Sequence, residues 1–217
     1  EALRQPEAPV IETIDYRREA DPQQVLHRLR AEGDVLVWRE GKAEVEGQDR
    51  YALEASEALA IWTTPPGAPE LREALARVSP HTVFLFAVNP EFDHSKGFLT
   101  RLARLVEHAM VAEGGRAELS ALATGTAQRE ETVRAGLAWL EHRGHIVILE
   151  ERDREVRLAP GEGSVTEGLA EVAERLRALL EETAAYRAFF ARTDAEGLIR
   201  NAVPAQAHRR AGHARPA

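Results

Sequence analysis

Glu91, Asp93, His94 and Lys96 fall within six positions, directly after the apolar run Thr82–Val88. Two carboxylates, an imidazole and an amine so close together are groups that can hold a hard metal ion or move a proton. Their place matters as much as their type, because open parallel sheets take ligands outside the carboxyl ends of their strands. A metal shell would need further oxygen or imidazole donors, and Asp15, at the end of another strand-like segment, is the obvious one. On that reading Asp93, His94 and Asp15 would make the chain a small α/β enzyme. On the other reading the stretch is a polar loop capping the next helix, with Ser95 as N-cap.

The helix expected after that loop carries a second kind of chemistry. Arg101, Arg104 and His108 fall at i, i+3 and i+7, which aligns them on one solvent-facing stripe with Lys96 near its start. A cationic stripe beside apolar surface is suited to an acidic peptide with a hydrophobic terminus. A solvated helix face has the same pattern.

Other chemistries are missing from the sequence. There is no cysteine, which removes zinc fingers, iron–sulfur ligation and thiol catalysis together. No Gly-x-Ser-x-Gly turn is present, and Gly41-Lys42 is followed by Ala43, so neither a nucleophile elbow nor a phosphate-binding loop is recognisable. No catalytic residue and no metal ligand set is therefore assigned, and no cofactor is expected.

The elements that must position these residues follow from periodicity. Val10–Ile14 alternates like a short strand; Asp21 caps a helix with Pro22 at its first position that runs to Gly33. Asp34–Trp38, Ala58–Trp62 and Thr82–Val88 are apolar runs of the kind that forms strands covered on both faces. Gly41–Asp49 reads as a hairpin or loop. Pro65-Pro66 stops the second run, and a helix restarts near Pro69. Phe98, Leu102, Leu105 and Ala109 then make an amphipathic helix from about Gly97 to Glu113. The expected fold class is α/β, a small parallel sheet, followed by a winged-helix module and a long C-terminal helix.

Beyond Gly114-Gly115 the pattern changes. A short helix over Glu118–Leu122 is broken at Gly125, a longer helix spans Ala127–Arg143, and His145–Leu149 with Glu155–Leu158 makes a hairpin, the wing of a winged helix-turn-helix. Val165 to about Arg192 reads as one helix. The expected division is 1–114 (α/β), 115–160 (winged helix), 161–200 (C-terminal helix) and 201–217 (a basic, disordered tail).

With 28 Lys+Arg against 36 Asp+Glu, the chain carries a formal charge of −8, so a nucleic-acid role would have to be local. Residues 116 to 157 hold seven Arg against eight acids, and Glu130 and Glu131 open the would-be recognition helix. Readers of DNA sequence show a basic excess there. Arg152 and Arg154 on the wing remain candidates for contact with a nucleic-acid backbone, and a winged-helix DNA-binding regulator is the alternative reading. The chain has 217 residues with 44% hydrophobic, enough for a buried core. No stretch approaches the roughly 20 apolar residues of a bilayer span. The expectation is a soluble cytoplasmic fragment of a longer protein, with no membrane contact.

The order of these features resembles a known family. Leu59-Ala-Ile-Trp-Thr-Thr-Pro-Pro66, a helix, Val83-Phe-Leu-Phe-Ala-Val88, a winged helix and a long last helix are similar to the C-terminal accessory domain of RecJ-type single-strand-specific 5′–3′ DNA exonucleases, over about residues 10 to 190. The resemblance implies a parent chain that uses manganese or magnesium to activate water on single-stranded DNA in repair and recombination. The family's Asp-His-His signature is not in this stretch, and Asp93-His94-Ser95 is only superficially like it. What it implies for these residues is a non-catalytic protein-interaction role. The partner would be the acidic, Phe-ended tail of single-stranded-DNA-binding protein, and other repair proteins are implied less directly.

Overall fold

The computed structural model describes residues 11–163 and 167–203. The first half is a four-stranded, all-parallel sheet in the order β1-β4-β3-β2, with β1 at Glu12–Asp15, β2 at Leu36–Trp38, β3 at Ala58–Thr63 and β4 at Thr82–Val88. Register sets Ile14 and Ala60 on either side of Phe84. Each strand therefore feeds two cores in alternation. Leu59, Ile61, Val83 and Leu85 face α2 (Ala68–Val78), whereas Ala60, Trp62, Phe84 and Phe86 face α1 (Pro22–Glu32). Two buried faces explain why these strands read as unbroken apolar runs. Asp21 caps α1 by accepting from the Gln24 N–H at 2.9 Å, as the sequence predicts.

The second half is built on α3 (Ser95–Ala112), β5 (Arg116–Glu118), α4 (Leu119–Thr126), α5 (Glu130–His142), β6 (Ile146–Glu151) and β7 (Glu155–Pro160). Its three strands form an antiparallel sheet in the order β5-β7-β6. Phe98, Leu102 and Val106 of α3 pack in one core with Leu119, Leu122, Val133, Leu137, Ile146 and Val156. The sequence reading groups α3 with the first sheet; its apolar face belongs to the second core.

Two helices close the molecule. α6 (Leu169–Arg192) lies along α5, places Leu176, Leu179 and Leu180 in the second core, and ends with Phe190 in the first. It thus crosses from one core to the other. α7 (Ala195–Ala202), which the periodicity does not announce, covers the α2 face of the parallel sheet with Leu198 and Ile199.

Several boundaries differ from expectation for local reasons. Gly125 does not break α4, because the helix continues to Thr126 and ends where Ala127 takes a left-handed conformation (φ 51°). Gly125 instead lets α3 approach closely: a Cβ there would sit 2.8 Å from Leu105 Cδ1, and that side chain would have to shift. Consequently α5 starts at Glu130 and not at Ala127. Ser95 is the first residue of α3 rather than its cap; His94 occupies the cap position without a side-chain hydrogen bond, and the Phe98 N–H bonds the His94 carbonyl at 3.0 Å. The start of the last long helix was expected at Val165, which lies outside the described residues, and the helix is seen from Leu169. Of the stretch read as a tail, Asn201 and Ala202 belong to α7, and residues 204–217 lie outside the described residues. No helix among the described residues is long and apolar enough to cross a membrane.

Candidate functional site

A groove runs where the carboxyl ends of β3 and β4 meet the start of α3. It consists of two adjoining clefts of about 400 and 450 Å³ that share Lys42, Phe92, His94 and Gly97. One end is cationic, with Lys96, Arg101 and Arg104 from successive turns of α3. The other is mixed: Trp62, Val88 and Pro90 give it apolar surface, and Thr63, Asn89, Glu40 and Glu91 line it as well. Lys42 stands where the two meet.

The chain builds this groove from three segments. Lys42 comes from the β2–β3 connection, which is tethered by the Gly41 N–H donating to the Thr124 carbonyl at 2.8 Å. Gly41 has φ 71°, a conformation that favours glycine, and a Cβ there would press on the Phe92 ring at 3.3 Å. The second segment is the turn after β4. There the Asn89 side chain accepts from the Glu91 N–H at 2.9 Å, and Glu91 itself is left-handed at φ 64°. The third is the first turn of α3, where Gly97 leaves room for the His94 ring, 2.9 Å from where a Cβ would be.

Beneath the groove lies a buried polar seam. Arg50 donates to Glu40 at 2.7 Å and to the Gln128 carbonyl at 3.0 Å, and the Trp38 indole N–H reaches the same carboxylate at 2.8 Å. Burial opposes the charge on Arg50, but the Glu40 carboxylate more than offsets it and raises the guanidinium above its ordinary value. Next along the seam, Gln128 donates through its amide to the Phe92 carbonyl and to Asp93, both at 3.0 Å. Arg187 of α6 pairs with Asp93 and also donates to the Thr64 carbonyl at 3.2 Å and to that of Ala127. Burial lowers the Arg187 pKa, with Asp93 acting against it.

This geometry separates the residues singled out in the sequence. Lys96, Arg101 and Arg104 line one cleft, and His108 lies one turn beyond it, exposed. Arg101 is not fully solvent-facing: its Nε donates to the Gly125 carbonyl at 2.9 Å, and burial followed by the neighbouring Arg104 lowers its pKa. None of Lys42, Lys96, Arg101 and Arg104 forms an ion pair among the described residues.

Asp93 and Asp15 are each engaged elsewhere, Asp93 by Arg187 and Asp15 by Arg17 at 2.7 Å. Among the described residues no cluster of three or more His, Asp or Glu is placed to hold a metal ion. On the hairpin, Arg152 pairs with Glu150 at 2.7 Å, while Arg154 is exposed.

No known family, curated protein or solved structure matches this chain. The groove must be judged on its own chemistry. Four cations without ion-pair partners among the described residues, in a chain of net charge −8, leave a local positive field next to apolar surface. Sequence reasoning missed Lys42 and Phe92. Lys42 was considered only as part of a failed phosphate-loop match, and Phe92 is a single aromatic in a polar stretch with no periodicity to mark it.

Proposed function

We propose that this chain is a non-catalytic protein-interaction domain that docks an acidic peptide with an apolar end in the groove at the start of α3. The carrying observation is the polarity of that groove. Its cationic end would take the acidic stretch against Lys96, Arg101 and Arg104, and the apolar surface that Trp62, Val88, Pro90 and Phe92 give its other, mixed end would take the hydrophobic terminus. Lys42 stands between them. On the family resemblance, the peptide is the C-terminal tail of single-stranded-DNA-binding protein and the parent a RecJ-type 5′–3′ exonuclease acting in DNA repair and recombination.

The succession α3-β5-α4-α5-β6-β7, with an antiparallel sheet closed by a hairpin, supports reading the second half as a winged helix. It serves here as a packing unit more than as a DNA reader. α5, which would enter a groove of DNA, lies against α6, and its flanking Arg129 pairs with Glu182 at 2.8 Å.

Titration of the chain with a short peptide of aspartates ended by Phe tests the reading. Saturable binding at low salt, lost when Arg101→Glu and Arg104→Glu are combined, is the expected result. No saturable binding, or binding indifferent to that reversal, removes the site. An Asp-His-His cluster encoded upstream in the same reading frame would establish the class of parent chain.

A further inference from the structure

Phe92 and His94 both line the groove, and the residue between them does not face it. Asp93 points inward to Arg187, which is 4% exposed and comes from the far end of α6, 94 residues away. One guanidinium there joins three segments: the turn after β3 through the Thr64 carbonyl, the turn after β4 through Asp93, and the α4–α5 turn through the Ala127 carbonyl. Gln128, fully buried, adds two hydrogen bonds to the same turn, at the Phe92 carbonyl and at Asp93. The turn's other ties are the packing of Phe92 and Pro90 against Gly41 and, at its start, the Thr64 N–H and hydroxyl donating to the Val88 and Ala87 carbonyls. It contains a proline, a left-handed glutamate and a half-buried aromatic, and its own internal tie is the Asn89–Glu91 hydrogen bond.

We propose that Arg187 is a positioning residue for the groove: through Asp93 it sets where Phe92 and His94 stand, and so couples α6 to ligand binding. The binding part of this inference rests on the peptide-docking reading above; the positioning part does not. A fork that reaches three acceptors at once cannot be reproduced by an ammonium, so lysine at 187 keeps the charge and loses the geometry. Asparagine at 93 keeps the shape and loses the charge. Neither Arg187 nor Asp93 lines the groove, so neither change touches a ligand-contacting side chain.

The test uses the full chain with Arg187→Lys, Asp93→Asn and Gln128→Leu. Amide hydrogen exchange over residues 89–97 is measured alongside affinity for the Phe-ended aspartate peptide, with exchange in β3 and β4 as the control for an intact fold. Exchange over 89–97 is expected to rise about tenfold in Arg187→Lys and Asp93→Asn, and less in Gln128→Leu, with the strands still protected. Peptide affinity should fall about fivefold in Asp93→Asn, although that change makes the protein less negative. Simple charge attraction predicts the opposite sign, which is what makes the variant decisive.

Lower melting temperatures with exchange over 89–97 and peptide affinity unchanged would reduce Arg187 to a structural pair and overturn the proposal. Tighter peptide binding by Asp93→Asn would overturn it too. Should the unmodified chain fail to bind the peptide, the docking reading falls, and the exchange measurement alone then decides the positioning role: a rise over 89–97 upholds it, no change overturns it.

Discussion

Two arginine-bearing regions of this molecule differ in what most of their charges do. In the second half and along α6, Arg129 pairs with Glu182, Arg134 with Glu151, Arg152 with Glu150 and Arg175 with Glu131, while Arg154 on the hairpin forms no ion pair among the described residues. On the groove side, Lys42, Lys96, Arg101 and Arg104 have no acidic partner among the described residues, and Arg101 and Arg104 repel one another. A cation already hydrogen-bonded to a carboxylate offers little field to a ligand, and engaging it requires breaking that pair first. The count of arginines is therefore a poor guide to binding. Whether each is paired with a carboxylate bears on it as well.

The most severe way to break the comparison is to reverse charge on each side. Arg101→Glu with Arg104→Glu is expected to weaken binding of the acidic peptide by about 100-fold, equivalent to about 2.7 kcal/mol. Arg152→Glu with Arg154→Glu should leave affinity within about twofold. Calorimetric titration of both double variants checks this, and equal losses would show that net charge, and not the groove, attracts the peptide. A smaller effect is expected from salt. Because the groove cations are partly exposed, raising ionic strength from about 0.05 to 0.5 M should weaken binding about tenfold, as the screening length shortens. Affinity insensitive to salt would mean that the apolar end alone holds the ligand.

Smaller still is the effect on stability, and here the two sides should differ in sign. Arg134→Gln removes the partner of a half-exposed Glu151 and is expected to lower stability by about 0.5 kcal/mol. Arg104→Gln removes a like charge beside Arg101, so stability should stay level or rise by a few tenths of a kcal/mol, about the size of a surface charge effect. Thermal melts of the two single variants compare them directly.

How much of this was legible in the sequence depends on the reach of each interaction. The two-faced strands announce themselves because alternation between two cores requires apolar residues throughout, as in Thr82–Val88, which matches β4 end to end. The β6–β7 hairpin and the cap at Asp21 are equally local. β5 escapes because three residues carry no period, and α7 because it was hidden behind the expectation of one long terminal helix. Lys96, Arg101 and Arg104 were found together because one helix holds them. Their lack of partners was not visible, since pairing is a tertiary fact: Arg129 and Glu182 are 53 residues apart. Arg187 left one trace. Leu176, Leu180, Thr183, Arg187 and Phe190 repeat at spacings of four and three and are all buried, so a lone arginine on that stripe required a buried acid somewhere.

The faintest effect lies in pH, where the difference between the two surfaces should shrink. The Arg129 guanidinium hydrogen-bonded to Glu182 holds that carboxyl below its ordinary value of 4.5, against a smaller opposing effect of burial. A folded pKa that is depressed gives stabilisation that is complete above 4.5 and is lost as pH falls through the folded value. Protonating Glu182 releases Arg129 from its partner. As pH falls through the folded value, below 4.5, Arg129 should gain affinity for a sulfated oligosaccharide, whose own charge does not titrate there. Measuring the oligosaccharide titration at neutral and acid pH, with Arg129→Gln as the control, isolates the contribution of this pair. An acid-induced gain equally large in the control, or none at all in the parent chain, would mean that pairing does not account for the quiet surface.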